Sequence, residues 1–269
     1  MNGFDSDDAY RHFAYTVKNH RRWIFDGRVA SFLDSVRKTS HSRECVIKEG
    51  CQLWRCQSGS TLQKDTQEVE RECPKLPEEM VPKSEFVKSG GRANPPGFAY
   101  LYLANRPETA MAEMRPWVGE SLSLANFALE KDARLVLCQQ DSEDRLKRIR
   151  LNGERIPQEK VDSYVWGDIS EAFSRPVNSN NAESDYTPTQ ILAEAFKAEG
   201  FDGVAYKSRL AQGLNVVLFD VEIAKPRDYF LYALRGVSYT FASDDPQFTV
   251  SIPKNGTPEY IWTLNSKSP

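Results

Sequence analysis

Histidine is scarce in this chain of 269 residues, and its three copies, His12, His20 and His41, all lie near the N-terminus. From residue 42 onward the sequence contains none. A Ser-His-Asp triad or a histidine-rich metal site in that part of the chain would therefore need a residue from the N-terminal segment. If the body of the protein is catalytic, it must use arginine, glutamate, tyrosine, serine or asparagine.

Paired cysteines and long apolar runs are also lacking. The five cysteines, an odd number, include no Cys-x-x-Cys pair, so the sequence suggests neither a disulfide framework nor a zinc site. No apolar stretch approaches the roughly 20 residues that a membrane helix needs. The N-terminus is acidic and has no apolar segment typical of a secretory signal. We therefore expect a cytoplasmic protein with no membrane partner and no bound metal.

No charge of either sign dominates, because 35 lysines and arginines face 38 aspartates and glutamates. A nucleic-acid-binding protein usually shows a basic excess, so bulk charge gives no support for that class, and we expect no direct nucleic-acid binding. One local basic run contains Arg145, Lys147, Arg148 and Arg150. We interpret this run as the solvated face of a helix.

The first ninety residues predict a helical arm followed by a strand and an irregular connection. Residues 5 to about 44 are predicted to be helical, because apolar residues between Phe25 and Val36 recur at helical spacing. This apolar stripe is typical of packing within a chain, although it is also compatible with a homo-oligomer or regulatory interface. A first strand is predicted at Cys51–Cys56. The polar segment 57–90 contains three prolines and predicts a loop or a poorly ordered connection.

The rest of the chain alternates between strands and helices, which indicates the α+β class. Strands are predicted from their apolar and β-branched residues at 99–104, 121–129, 134–138, 201–206 and 214–221. Helices are predicted from Pro107 to near Pro116, at 157–174, and from about 185 to Gly200. Hairpins are predicted after Tyr229. We divide the chain into a helical N-terminal arm at 1–45, a core at 46–225 and a β-rich C-terminal extension, packed on the core, at 226–269.

Two polar residues stand out beside the predicted strand at 99–104. Arg92 lies in a loop crowded with glycine and proline, although an arginine beside a turn is usually a surface residue. Glu113 follows the strand in a short helix with small and apolar neighbours, and a buried carboxylate needs a partner or a function. The simpler interpretation of Glu113 is a surface glutamate paired with Arg106 or Arg115.

Arg55 and Ser208 lie near two other predicted strands. Arg55 has a structural interpretation as a charge on an edge strand that discourages aggregation. Ser208 has one as a turn former after its strand. Taken one at a time, none of these residues indicates a function.

Taken together, three segments resemble the RES-domain proteins, which are named for their arginine, glutamate and serine. They are LWR near residue 54, GRANPPGFAYLYLANRPETAMAEMRP and YTPTQILAEAFKAEGFDGVAYKSRLAQGLNVVLFD. The resemblance spans roughly residues 50–220. Two parts depart from it: the long polar insert at 57–90, which could cap or reshape a pocket, and the tail after Val221.

The resemblance implies a fold similar to that of ADP-ribosyltransferases, with central β-sheets flanked by helices. It also implies a toxin that depletes cellular NAD by hydrolysis or phosphorolysis. The implied catalytic residues are Glu113, Arg55 and Arg92, and the implied substrate-binding residues are Tyr102, Ser208 and Asn215. NAD is then a substrate rather than a cofactor, with inorganic phosphate as an optional co-substrate. A separate antitoxin of the helix-turn-helix type is implied as a partner that covers the active-site entrance.

The chemistry of NAD agrees with these residue types. Arginine suits the pyrophosphate oxygens, because its planar fork binds phosphate through two hydrogen bonds. Loss of nicotinamide builds positive charge on the anomeric carbon of the ribose, which a carboxylate such as Glu113 can stabilise. Nicotinamide leaves as a neutral molecule, so no general acid is required. Tyr102 is a candidate for stacking on nicotinamide or bonding a phosphate, and Ser208 for orienting the amide or ribose.

Three other functions remain open at this point. The same fold could transfer ADP-ribose to a protein or nucleic acid. A regulatory module could bind the nucleotide without turnover. The residues around Arg92 and Glu113 could also be merely structural in an interaction protein.

Overall fold

The computed structural model describes residues 3–25, 27–139, 156–177 and 182–238, and the strands Gln247–Ser251 and Glu259–Thr263. The basic run at 145–150 lies outside the described residues. The chain forms two compact units, one up to Leu234 and one from Arg235 onward. The boundaries predicted at 46 and 226 stay predictions.

A sheet of eight strands organises the first unit. In their order across the sheet, the strands are β1 (Glu44–Ile47), β7 (Ala133–Cys138), β8 (Gly203–Lys207), β9 (Leu214–Leu218), β5 (Leu101–Ala104), β2 (Gln52–Ser58), β6 (Ser121–Leu129) and β10 (Ala224–Ala233). Only β7 and β8 are parallel; the other neighbours are antiparallel. The chain thus brings sequence-distant strands β2, β5, β8 and β9 together near the middle of the sheet.

Four helices share a buried cluster with one face of this sheet: α1 (Ala9–Asn19), α2 (Gly27–Ser40), α5 (Gln158–Ser174) and α6 (Ala182–Ala198). Phe13 and Val36 of the N-terminal helices are fully buried, as are Val165 and Phe196. The indole Nε1 of Trp166 donates to Thr39 Oγ1 at 3.1 Å. The apolar stripe between Phe25 and Val36 therefore packs within the chain, as its spacing predicted.

The opposite face of the sheet carries a second buried cluster, formed by strand residues that alternate with those of the first. It contains Leu101, Leu135 and Leu218 together with Leu53 and Phe127, because successive side chains of a strand point to opposite faces. The short helix α3 (Pro77–Met80) contributes Met80, which is fully buried. A third, smaller cluster lies under the helix α4 (Pro107–Glu113) and includes Ala110 and Leu124.

The structure corrects the sequence prediction for the first ninety residues. The predicted helical segment contains two helices, and Gly27 begins the second of them with φ at 51°. The segment 57–90 is ordered rather than irregular, since it forms a hairpin of β3 (Thr61–Lys64) and β4 (Glu70–Cys73), followed by α3. Its polar composition reflects exposure: Asp65 holds the hairpin turn by accepting from the amides of Gln67 and Val69.

The described helices and the central sheet confirm the predicted α+β class. No described helix is both long enough and apolar enough to span a membrane. In the second unit, β11 (Gln247–Ser251) and β12 (Glu259–Thr263) pair as an antiparallel hairpin, in which Phe248 lies opposite Trp262. The alternating pattern of the tail predicted such a hairpin.

Candidate active site

The central sheet opens between β2 and β5. These two strands, both fully described, share the single pair Trp54 and Ala104, whereas β2 pairs with β6 from Gln52 to Ser58. A cavity of about 530 Å³ lies at this opening, with Arg55, Tyr102 and Glu113 on its wall. Strand separation thus creates room for a ligand where four of the sequence-predicted residues meet, since Asn215 lines the cavity as well.

Glu113 is held at the cavity by two donors from the sheet. Its Oε1 accepts a hydrogen bond from Ser208 Oγ at 2.7 Å and another from Asn215 Nδ2 at 2.7 Å. Among the described residues, no group donates to its Oε2 or forms an ion pair with it, so neither Arg106 nor Arg115 is its partner. Glu113 is exposed, in line with its simpler interpretation as a surface glutamate, but Ser208 and Asn215 bind it in place of an arginine. Glu113 is the last residue of this short helix, and it lies on the cavity wall.

The hydroxyl of Ser208 both stabilises a turn and binds the proposed catalytic glutamate. It is buried just after β8, and besides donating to Glu113 it accepts from the amides of Leu210 and Ala211 at 3.1 and 3.3 Å. It therefore closes the turn that leads to β9. This use of the hydroxyl places Ser208 behind Glu113, as a residue that fixes the carboxylate.

Gly213 ends the same turn and touches the start of α4. Its φ of 135° suits glycine, and an added Cβ would lie 2.6 Å from Asn105 Oδ1 and 2.7 Å from Thr109 Oγ1. Those two side chains bind the turn, because Asn105 Oδ1 accepts from the Leu214 amide and Thr109 Oγ1 donates to the Gln212 carbonyl. The turn, α4 and the start of β9 thus form one unit around Glu113.

Arg55 occupies the opening between the strands. Its Nη1 donates to the Tyr102 carbonyl at 3.2 Å, and its Nε is buried without a hydrogen-bond partner in the part of the chain that the structure describes. Burial lowers the pKa of Arg55 to about 10, so the guanidinium stays charged at neutral pH. The structure corrects its interpretation as an edge-strand charge, since β2 lies between β5 and β6. A half-buried cation at a cavity wall, with no carboxylate partner among the described residues, favours an anionic ligand.

Arg92 lies one layer behind the cavity. Its Nη1 donates to the Ala172 carbonyl at 3.1 Å, and its guanidinium lies over the rings of Tyr186 and Tyr206, 5.1 and 5.7 Å from their centroids. Tyr206 itself lines the cavity. Arg92 therefore supports a cavity wall through cation–π contacts, and the structure does not bring it beside Arg55 as a second arginine on that wall.

Tyr102 uses its hydroxyl within the protein. The hydroxyl donates to Asn94 Oδ1 at 2.6 Å and accepts from the Ala93 amide at 2.9 Å. Burial raises its pKa, so the phenol stays protonated across the neutral range. Both hydrogen bonds of the hydroxyl are therefore made to the loop that carries Arg92. The predicted role of this hydroxyl in binding phosphate stays a prediction. The ring of Tyr102 lies at the cavity wall.

Sequence reasoning missed several residues of this site. Tyr206, which lies in β8, and Lys75, which follows the β3–β4 hairpin, both line the cavity. Tyr206 stands two residues before Ser208 and could have been found from its place in the same strand. Lys75 gave no signal because the whole segment was predicted to be irregular. Within the described residues, no group of three histidine, cysteine, aspartate or glutamate side chains is placed to hold a metal ion.

The sequence profile of the RES domain matches residues 77–235, which is more than half of the chain. The chain belongs to the RES-domain family. This RES-domain match includes Arg92, Tyr102, Glu113, Ser208 and Asn215, and it begins after Arg55 and Lys75. A comparison with curated proteins finds no match.

One solved structure shows a distant similarity to this RES-domain protein. It is described as the crystal structure of the M. tuberculosis MbcT–MbcA toxin–antitoxin complex. The sequences are 14% identical, the alignment covers 74% of this chain and 92% of the other, and the TM-score is 0.38. At this level of similarity, no residue role is carried from that complex to the present site.

Proposed function

We propose that this RES-domain protein cleaves the nicotinamide–ribose bond of NAD. The observation that carries the proposal is the position of Glu113. Two hydrogen bonds to Oε1 fix the carboxylate at the wall of a cavity that Arg55 also lines. Glu113 is thus pre-oriented, and its second oxygen is available to a ligand.

The proposed reaction needs only one carboxylate. As the bond to nicotinamide lengthens, positive charge builds on the anomeric carbon, and a fixed carboxylate stabilises it. A pre-oriented group contributes more than a mobile one, because little reorganisation is required as the charge develops. Nicotinamide departs from a pyridinium as a neutral molecule, so the leaving group takes no proton. This fits a site in which Glu113 is the carboxylate on the described cavity wall.

The other cavity residues suit the remaining parts of a dinucleotide. Arg55 supplies a positive charge for the pyrophosphate at the cavity wall. The ring of Tyr102 offers a flat surface for the nicotinamide at the cavity wall. Arg92 holds Tyr206 from behind. We therefore assign direct contact with substrate to Glu113, Arg55 and Tyr102, and support of the wall to Arg92, Ser208 and Asn215.

The second reactant is either water or inorganic phosphate. With water the reaction yields ADP-ribose and nicotinamide, and with phosphate it yields ADP-ribose-1″-phosphate and nicotinamide. The proposal covers both, because both begin with cleavage of the same bond. Transfer of ADP-ribose to a macromolecule would be a third outcome with the same first step.

Membership of the RES-domain family supports a biological role as a toxin that depletes NAD in the cytoplasm. A separate antitoxin would then cover the cavity until the toxin is released. Induced expression in a bacterial host is expected to lower cellular NAD and stop growth, and the growth arrest is expected to disappear with Glu113→Gln. Arrest at an unchanged NAD level would contradict this role.

The biochemical test is to incubate the purified protein with NAD and quantify nicotinamide by chromatography. Parallel reactions contain inorganic phosphate or none, and mass spectrometry identifies the ribose product. The proposal predicts nicotinamide release in step with loss of NAD. Unchanged NAD in all reactions, or tight binding of NAD without turnover, would contradict it and favour the regulatory module.

A further inference from the structure

Lys75 stands at the cavity wall in a segment that the RES-domain match does not include. It follows β4 and precedes α3, within the polar insert that separates β2 from β5. No described carboxylate lies within ion-pair distance of its ammonium group. Lys75 is half-buried, and its ammonium group is therefore available to pair with an anionic ligand in the cavity.

A buried serine fixes the backbone of Lys75 to the sheet. Ser123, on β6, accepts a hydrogen bond from the Lys75 amide at 2.9 Å and donates one to the Gly59 carbonyl at 2.7 Å. The side chain of Lys75 passes over the turn at Gly59, where an added Cβ would lie 3.6 Å from its Cε. The insert thus places Lys75 at the cavity wall, and the hydrogen bond to Ser123 fixes its backbone beside β6.

The charged groups of the cavity follow the order of the strands. The carboxylate of Glu113 is bonded to Asn215 on β9, Arg55 lies on β2, and Lys75 is tied to Ser123 on β6. Three strand spacings of about 4.8 Å or more lie between β9 and β6, and the opening between β5 and β2 is one of them, so the separation is at least about 14 Å. Across the sheet, the charged groups therefore come in the order Glu113, Arg55 and Lys75. An extended dinucleotide presents its reactive ribose, the nearer phosphate and the further phosphate in the same order.

We propose that Lys75 binds the adenosine-side phosphate of the dinucleotide, at the end of the cavity opposite Glu113. This inference rests on the proposed function for the identity of the substrate. Lys75 is then a substrate-binding residue contributed by the insert, outside the segment that defines the family match. Its charge sets affinity for a diphosphate and takes no part in breaking the glycosidic bond.

Calorimetric titration with ADP-ribose tests this assignment, since that molecule carries both phosphates and has no nicotinamide to lose. Loss of one charge-assisted hydrogen bond is expected to raise the Kd of Lys75→Met about tenfold or more. Lys75→Arg, which keeps the charge, is expected to stay within about threefold of the natural protein. The control Lys64→Met removes a lysine that pairs with Glu68 on the exposed hairpin, and its Kd is expected to stay unchanged.

Three results would overturn the assignment of Lys75. They are an unchanged Kd in Lys75→Met, an equal loss in Lys75→Met and Lys75→Arg, and an absence of ADP-ribose binding by the natural protein. Kinetics with NAD give a second readout, in which Lys75→Met is expected to raise KM about tenfold at nearly constant kcat. If ADP-ribose binds through Lys75 and nicotinamide is never released, the proposed reaction fails and the diphosphate site stands.

Discussion

Asn215 donates a hydrogen bond from Nδ2 to Oε1 of Glu113 at 2.7 Å, across 102 positions of sequence. Asn215 is buried at the start of β9, opposite Ala104 of β5 and Tyr206 of β8. Its amide is therefore held by a rigid element, while Glu113 ends a short helix. This hydrogen bond therefore fixes the position of the Glu113 carboxylate relative to the sheet.

Asn215→Asp is expected to abolish this support. The new carboxylate cannot donate, and its charge repels Glu113, so we expect kcat/KM for nicotinamide release to fall at least about 100-fold. Asn105→Asp is the matched control, because Asn105 uses its side-chain oxygen as an acceptor from the Leu214 amide and aspartate retains that acceptor. Equal activity of the two variants, with folding checked by circular dichroism, would show that the contact does not matter.

Gly213→Ala is expected to disturb the turn between Ser208 and Asn215. The added Cβ would lie within 2.7 Å of Asn105 Oδ1 and Thr109 Oγ1, and the positive φ adds strain. Gly97→Ala separates the two effects. Gly97 has a φ of 85°, and a Cβ added there would meet none of the described residues within 4 Å beyond its chain neighbours.

The free energy of unfolding in urea measures the difference between the two glycine variants. We expect Gly97→Ala to cost about 1 kcal/mol from backbone strain alone, and Gly213→Ala to cost at least about 2 kcal/mol through contact with neighbours. Gly213→Ala should also lower nicotinamide release, since Asn215 and Ser208 flank the turn. Equal losses of stability would mean that the turn relaxes without strain.

Alkaline pH is expected to destabilise the protein through its buried tyrosines. Burial raises the pKa of Tyr10, Tyr102 and Tyr206 above the ordinary value near 10. The unfolded chain therefore loses these protons first, so their contribution to stability is complete below pH 10 and is lost as the pH rises above it. Urea denaturation between about pH 8 and about pH 11 should show a falling free energy of unfolding.

Tyr102→Phe provides the control for this alkaline effect. Removing one raised pKa should make the decline above pH 10 less steep, although the variant starts from a lower stability because the Ala93 amide loses its acceptor. That initial loss is expected to be about 1–3 kcal/mol. An unchanged slope would show that Tyr102 does not contribute to the alkaline transition.

Much of the fold could be predicted from local patterns in the sequence. The helix at 158–174, the strand at Ser121–Leu129 and the α+β class follow from apolar spacing and from proline and glycine signals. The β3–β4 hairpin could not be predicted in this way, because its strands are polar on both faces and carry no apolar alternation. Its order comes from hydrogen bonds to Asp65, which composition alone does not reveal.

The site was predictable only in part. Four predicted residues line one cavity, and Ser208 joins them through Glu113. The four are Arg55, Tyr102, Glu113 and Asn215. The second-layer position of Arg92 depends on the rings of Tyr186 and Tyr206, which come from α6 and β8. Lys75 depends on a bond to Ser123, 48 positions away. Such long-range contacts are fixed by strand order, which sequence periodicity does not specify.

Nicotinamide release by Glu113→Gln, measured beside Glu108→Gln, tests the central claim most directly. Glu108 lies in the first turn of the same helix and is exposed, so the two variants remove the same charge from α4. We predict a loss of at least about 100-fold in kcat for Glu113→Gln and a rate close to that of the natural protein for Glu108→Gln. Equal nicotinamide release by both variants and the natural protein would contradict the assignment of Glu113 as the catalytic carboxylate.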